Sequence, residues 1–222
     1  MKPFIHFQQL KYIFIDFDGT LVDSIPLLFN NYMAFLKKYE KEGSLKEFES
    51  LMGPSIDEFV PILAKRYGLT AHLQDLLSAY KNGLAERYKK EAKIIEGAKE
   101  FIVYAHHLGI NLALVTSSDY FLIKDCLDEL LLTNDFKYII TGEKVHKTKP
   151  DPEIYQLALK ICSVLPEEVL TIEDSFNGLL ASLAAHLPTI AIKNPHLNQF
   201  PAQIMPVNHW NELTNLFRNE YG

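Results

Sequence analysis

The chain has 222 residues, of which 48% are hydrophobic and 23% are charged, which is typical of a globular protein with an ordinary core. Its formal net charge of -6 argues against nucleic acid as the main partner, because nucleic-acid-binding domains are usually basic. No apolar run reaches the roughly 18 residues that a membrane-spanning helix needs, and the N-terminus lacks a signal-peptide core. We therefore expect a cytoplasmic protein without a membrane partner, whose Cys126 and Cys162 are free, buried thiols.

Apolar runs with the form of buried strands occur along most of the chain. The first, residues 12–17, is apolar at both alternating positions, as expected of a central strand covered on both faces. Further runs span residues 111–118, 137–143, 168–175 and 188–194, and helical patterns span residues 98–109, 151–165 and 174–187. Strands that alternate with helices in this way indicate βαβ units and a parallel sheet.

Residues 25–91 differ from the rest of the chain. They contain several amphipathic helical patterns and no convincing strand. We therefore predict an α/β protein with a doubly wound, Rossmann-like parallel sheet and an inserted helical domain. The predicted core domain comprises residues 1–23 and 93–222, and the predicted helical domain comprises residues 24–92.

Reactive side chains follow the predicted strands where each strand ends. Ligands of open parallel sheets bind beyond the carboxyl ends of the strands, so these side chains should meet at one edge. The candidates are Asp16, Asp18, Thr116, Ser117, Lys149, Glu173 and Asp174. Crowded carboxylates suit a hard divalent cation, and Mg²⁺ is the usual choice when phosphate is the other ligand.

This set predicts phosphoryl-transfer chemistry. Asp16 would attack phosphorus and form an aspartyl-phosphate, and Lys149 would neutralise the charge beside it. Asp18 would protonate the departing oxygen and later activate water. Thr116, Ser117 and the backbone around Gly19 and Thr20 would hold the phosphoryl oxygens.

Several of these residues also have a purely structural interpretation. Asp16 and Asp18, or Asp174, would equally suit the N-terminus of a helix that follows a strand. Thr116 would also serve as a helix cap, and Lys149 would be an ordinary solvated loop residue. Ser117 and Ser118 would serve either as helix caps or as phosphate contacts through their backbone.

Four segments carry a resemblance to a known family: DFDGTLVDS, VTSS, KTKPDP and IEDSFNG. They have the order and approximate spacing of the four motifs of the haloacid dehalogenase (HAD) superfamily. The chain resembles its phosphoglycolate phosphatase and β-phosphoglucomutase branch, and the helical insertion resembles the C1 cap of that branch. The resemblance implies a nucleophilic Asp16 and an acid/base Asp18. It also implies Mg²⁺ held by the Asp16 side chain, the Asp18 carbonyl and Asp174, with Glu173 beside the ion or bound to it through water.

The resemblance also bears on substrate specificity. One turn resembles the segment of the family's cap that approaches the active site and contributes to substrate specificity. It comprises Gly53, Pro54, Ser55 and Ile56. The mutases of this branch have a histidine where this chain has Leu28 and an arginine where it has Ile56. Simple hydrolysis is therefore favoured over transfer to a sugar.

Three hypotheses about function follow. The first is a Mg²⁺-dependent phosphatase that hydrolyses a small cytosolic phosphomonoester and exists as a monomer or weak dimer. The second is a sugar-phosphate mutase of the β-phosphoglucomutase type. The third, from another class, is a receiver-like signalling domain that uses a phospho-aspartate as a switch.

Overall fold

The computed structural model describes residues 5–51, 55–193 and 200–222. Within these ranges six strands form one parallel sheet with the order β3-β2-β1-β4-β5-β6. The strands are β1 Tyr12–Ile15, β2 Asn111–Val115, β3 Tyr138–Ile140, β4 Val169–Glu173, β5 Thr189–Ile192 and β6 Met205–Val207. The α-helices are α1 Ile25–Lys38, α2 Leu45–Ser50, α3 Ile56–Tyr67, α4 Leu73–Glu91, α5 Ala98–His107, α6 Tyr120–Glu129, α7 Glu153–Cys162, α8 Phe176–Ala184 and α9 Trp210–Tyr221. The predicted α/β fold with a parallel sheet is confirmed.

The chain divides into two compact units. The first comprises the described parts of Met1–Asp23, Ile94–Tyr120 and Leu131–Gly222, and it contains the sheet. The second comprises the described parts of Ser24–Lys93 together with Phe121–Leu130. The predicted domain boundaries stay a prediction, and most of α6 groups with the helical unit.

The sheet of the first unit is covered by helices. On one face, Tyr12 and Phe14 of β1 share a buried cluster with Ile154 and Ala158 of α7. On α5 and α9, the Phe101 ring packs 5.2 Å from that of Trp210 and 5.0 Å from that of Phe217. Every residue of β1 is buried, as its doubly apolar pattern predicts. Cys126 and Cys162 are buried thiols, as expected.

The C-terminal strand and helix were not among the predicted elements. β6 lies at the edge of the sheet and contains Pro206, which lacks an N–H donor and disfavours a strand prediction. α9 places Trp210, Leu213 and Phe217 in the core, at the spacing of one helix face. This apolar spacing is a signal that identifies α9 from the sequence.

The second unit is helical. Its aromatic core includes Tyr80 of α4, whose ring lies 5.2 Å from Phe35 of α1 and 5.5 Å from Phe59 of α3. None of the helices among the described residues combines the length and the apolar character needed to cross a membrane.

Candidate active site

The parallel register of three neighbouring strands brings their carboxyl ends together. Ile15 of β1 pairs with Leu114 of β2 on one side and with Ile172 of β4 on the other. The residues that follow these strands therefore lie at one edge of the sheet. Among the described residues, the charged side chains that are buried are Asp16, Lys149, Glu173 and Asp174. Three carboxylates and one ammonium leave a net charge of -2 when all four are ionised.

Lys149 joins two of these acids. Its Nζ lies 2.6 Å from Asp16 Oδ1 and 2.6 Å from Glu173 Oε1, and it also donates to the Val115 carbonyl at 3.0 Å. The loop before Lys149 is tied to α7, because Glu153 accepts hydrogen bonds from two backbone N–H groups of that loop. The interpretation of Lys149 as a solvated loop residue is wrong, since only 7% of the residue is exposed.

Glu173 accepts hydrogen bonds on both carboxylate oxygens. Oε1 accepts from Lys149 and from the Tyr155 hydroxyl, which lies 2.7 Å away. Oε2 accepts from the Ser175 hydroxyl at 3.1 Å and from the backbone N–H groups of Asp174 and Ser175. A Cβ atom at Gly178 would overlap the Glu173 carboxyl group, so this approach requires glycine. Sequence reasoning missed Tyr155, because an aromatic residue on the apolar face of a helix indicates only core packing.

Asp174 lies beside the segment that follows β1. Its Oδ1 accepts a hydrogen bond of 2.8 Å from the Thr20 hydroxyl. Gly19 has a φ of +80°, and a Cβ atom there would overlap the Asp174 carboxyl group. The side chain that caps α8 is Ser175, which accepts from the Gly178 N–H at 3.0 Å. The interpretation of Asp174 as that cap is therefore wrong.

Asp16, Glu173 and Asp174 form a possible metal site. Each offers a carboxylate oxygen, and these three oxygens lie within 4.8 Å of one another. Burial and the neighbouring charge of Glu173 raise the pKa of Asp16 well above its usual value, although Lys149 opposes the shift. Burial alone would lower the pKa of Lys149, but Asp16 and Glu173 outweigh it and raise that pKa well above the usual value. An additional cation would favour the ionised form of Asp16.

Asp18 and the loop after β2 also meet at this edge. The Ser118 hydroxyl donates to Asp18 Oδ2 at 2.6 Å, and the Ser118 N–H donates to Thr116 Oγ1 at 3.0 Å. Thr116 is buried, Asp18 and Ser118 are half-buried, and Ser117 is exposed. The sequence left Ser118 open between a helix cap and a phosphate contact. Its bond to Asp18 depends on the pairing of β1 with β2 and was not predicted.

The predicted specificity turn lies in the part of the chain assigned to the helical unit. Gly53 and Pro54 fall outside the described residues. Ser55 precedes α3, and its N–H and hydroxyl both donate to Glu58 Oε2 at 3.0 Å. Ile56 is the first residue of α3. The role of these four residues in specificity stays a prediction.

Comparisons with known proteins agree with this fold. Residues 12–192 match the family model of the haloacid dehalogenase-like hydrolases. A phosphorylated carbohydrates phosphatase of Thermotoga maritima is 31% identical over 185 residues, which cover 82% of this chain and 84% of that protein. A phosphoglycolate phosphatase of Pseudomonas fluorescens is 27% identical over 191 residues, which cover 82% and 69%. The structure of CbbY from Rhodobacter sphaeroides in complex with phosphate superposes with a TM-score of 0.84 at 23% identity, covering 92% of this chain and 96% of that one.

The chain belongs to the haloacid dehalogenase-like hydrolases, and the resemblance noted in its four motifs is confirmed. It is therefore an enzyme of a hydrolase family. This assignment replaces the hypothesis of a receiver-like signalling domain.

Proposed function

We propose that this protein is a Mg²⁺-dependent phosphatase that hydrolyses small phosphomonoesters through an aspartyl-phosphate on Asp16. The observation that carries the proposal is the buried group of three carboxylates, Asp16, Glu173 and Asp174, of which the first two contact Lys149. A charge of -2 in a buried place is costly unless a cation offsets it, and a divalent ion does so completely. The names of the two phosphatase relatives support the same reaction class.

The residues present suit Mg²⁺. The ion prefers oxygen ligands, and Asp16 and Asp174 supply carboxylates, with the Asp18 carbonyl a third ligand by resemblance to the family. Glu173 accepts from five donors, which favours an indirect role in which it holds Lys149. A bound Mg²⁺ would supply positive charge to the phosphoryl oxygens as the reaction proceeds.

The side chains of this protein would act in two steps. In the first step an Asp16 oxygen attacks phosphorus, the bond to the ester oxygen breaks, and protonated Asp18 gives its proton to that oxygen. In the second step ionised Asp18 takes a proton from water as the water oxygen attacks phosphorus. The bond between Asp16 and phosphorus then breaks and releases inorganic phosphate. Lys149 and Thr116, with the backbone at Gly19, Thr20 and Ser117, would hold the phosphoryl oxygens.

A small phosphorylated metabolite is the proposed substrate, and sugar phosphates are the first class to test. The name of the Thermotoga maritima relative refers to phosphorylated carbohydrates. Mutase activity is the alternative within this branch, and Leu28 and Ile56 disfavour it by resemblance.

The direct test is a screen of phosphorylated metabolites for phosphate release with Mg²⁺ present. We expect turnover by the wild type, none by Asp16→Asn, and none after removal of divalent ions by a chelator. A sugar monophosphate supplied with its bisphosphate tests the alternative, because a mutase isomerises the sugar without releasing phosphate. Full activity after exhaustive chelation would overturn the proposed mechanism.

A further inference from the structure

The Ser118 side chain is bonded to the proposed acid/base residue itself. Its hydroxyl donates to Asp18 Oδ2 at 2.6 Å, across 100 positions of sequence. This distance lies at the short end of the range for an O–H···O hydrogen bond. Asp18 is the least buried acid of this group, because Asp16, Glu173 and Asp174 are all below one-tenth exposed. A fixed hydroxyl donor restricts the orientations that a half-buried carboxylate adopts.

The backbone that carries Ser118 is itself held in place. The Ser118 N–H donates to Thr116 Oγ1, and its carbonyl accepts from the Gly142 N–H at 3.1 Å. A Cβ atom at Gly142 would overlap the Ser117 carbonyl, so the two loops can approach this closely only with glycine there. Glu143 also stabilises the segment after Ser118, because its carboxylate accepts a hydrogen bond from the Tyr120 N–H at 3.1 Å. The hydroxyl therefore reaches Asp18 from a loop fixed at several points.

We infer that Ser118 is a positioning residue that orients Asp18 for both of its proton transfers. The inference rests on the proposed function, since it assigns Asp18 the proton-transfer role. A carboxyl group has two oxygens, and only one of them carries the proton of the acid form. Asp18 Oδ2 accepts from the Ser118 hydroxyl. Oδ1 is then the oxygen that gives its proton to the leaving oxygen in the first step and takes one from water in the second. Ser118 thus holds one orientation of Asp18 through both steps.

A double-mutant cycle tests this inference. With an alkyl phosphate, Ser118→Ala should lower kcat about tenfold, because a misplaced acid/base group loses part of its ~10²–10⁴-fold contribution. In the Asp18→Asn background, Ser118→Ala should cost less than about twofold, because there is no proton transfer left to orient. Ser118→Thr keeps the hydroxyl and is the matched control, so it should retain activity within about threefold of the wild type.

The leaving group supplies a readout that a merely structural role would not change. An activated aryl phosphate needs little protonation of its leaving oxygen, so the first step of Ser118→Ala should be much less impaired than with the alkyl ester. Thermal unfolding of each variant, compared with the wild type, confirms that the fold is intact.

Equal costs of Ser118→Ala in the two backgrounds and with both esters would overturn the inference, because they indicate direct contact with the phosphoryl group. An unchanged kcat in Ser118→Ala would overturn it as well. In both cases wild-type turnover leaves the proposed phosphatase function standing. Absence of turnover by the wild type on every phosphate ester would instead overturn the proposed function, and this inference with it.

Discussion

The Tyr155 hydroxyl donates a hydrogen bond of 2.7 Å to Glu173 Oε1, and both side chains are completely buried. The same oxygen accepts from Lys149, whose Nζ lies 5.0 Å from the centre of the Tyr155 ring. Tyr155, which lies on α7, therefore contacts both Glu173 and Lys149 of the charged group. Burial raises the pKa of its hydroxyl well above the usual value, which keeps the hydroxyl a donor.

Replacing Tyr155 with phenylalanine should lower stability and activity together. The change removes one donor to a buried carboxylate, which typically costs about 1.5–3 kcal/mol in the free energy of unfolding. We expect a lower kcat as well, because Glu173 then holds Lys149 less firmly. Urea unfolding and steady-state kinetics measure the two effects. Tyr138→Phe removes the same atom from a half-buried ring stacked on Tyr12 and should change stability by less than about 0.5 kcal/mol. Equal effects of the two substitutions would contradict the role of Tyr155.

Substitutions of Asp174 and of Glu173 should weaken Mg²⁺ binding to different extents. Asp174→Ala removes a proposed direct ligand and should weaken Mg²⁺ binding by more than about 100-fold. Glu173→Gln changes a group proposed to act on the ligands indirectly and should cost about 10-fold, at the lower end of such effects. Calorimetric titration of each variant with Mg²⁺ measures this difference without relying on activity. Small and equal effects would show that the ion is bound elsewhere.

The sequence predicts where the charged group lies better than it predicts how the group is held. Asp16, Lys149 and Asp174 each follow a predicted strand or its loop, and the edge of a parallel sheet must bring such residues together. Tyr155 and Ser118 carry no comparable signal. Their bonds to Glu173 and Asp18 join residues 18 and 100 positions apart, and they depend on strand register and helix docking.

The prediction of the fold was limited in the same way, because some elements carry no clear sequence pattern. The buried strands were predictable because both of their faces are apolar, and the edge strand β6 was missed because Pro206 interrupts its pattern. His186 has a φ of +61°, a backbone conformation that glycine favours, and the histidine at this position removes the usual glycine signal of such a turn.

Specificity should change when the start of α3 is altered. Ile56→Ala leaves the Ser55–Glu58 bonds in place and removes only an apolar side chain. We expect the order of kcat/KM among phosphorylated metabolites to change. Activity on a small aryl phosphate should stay within about tenfold, or 1.4 kcal/mol of activation free energy. A uniform loss across all substrates would instead indicate that this segment supports the chemistry itself.

The helical unit should lose stability in acid through Glu47. Burial would raise the pKa of Glu47, but hydrogen bonds from Arg66, Tyr32 and Tyr67 outweigh it and lower the pKa below the ordinary 4.5. Tyr32 donates at 2.6 Å, Arg66 donates at 2.7 Å, and Tyr67 donates to the same carboxylate. A carboxylate whose pKa is lower in the folded state stabilises the fold above its unfolded pKa. That contribution disappears as the pH falls through the folded pKa.

Glu47→Gln should therefore be less stable than the wild type at pH 7, by about 1 kcal/mol. The gap should begin to narrow below about pH 4.5, where Glu47 of the unfolded chain takes up a proton, and should close as the pH falls through the lower folded pKa. Thermal unfolding of both proteins across this pH range measures the gap. Glu49→Gln alters an exposed glutamate of the same helix and should leave the pH profile unchanged. A constant gap at every pH would show that ionisation of Glu47 does not contribute.

Substitutions of the two aspartates after β1 should impair the reaction in different ways. Asp16→Asn removes the proposed nucleophile. Neither an alkyl phosphate nor an aryl phosphate should then release its alcohol, and no phosphoenzyme should form. Asp18→Asn keeps the nucleophile but removes the proton donor and later the base, which typically costs ~10²–10⁴-fold. With an alkyl ester both steps slow.

With an aryl phosphate, Asp18→Asn should accumulate the phosphoenzyme. The aryl oxygen leaves with little protonation, so the first step proceeds, but water attack on the Asp16 phosphate still lacks its base. Stopped-flow measurement should show a burst of aryl leaving group close to one equivalent per enzyme, followed by slow turnover. Intact mass spectrometry should show the added phosphoryl group, and peptide mapping should place it on Asp16. Asp16→Asn, carried through the same protocol, is the control and should show neither burst nor adduct. Turnover by Asp16→Asn together with no burst in Asp18→Asn would reverse the assignment, because the nucleophile would then be another residue.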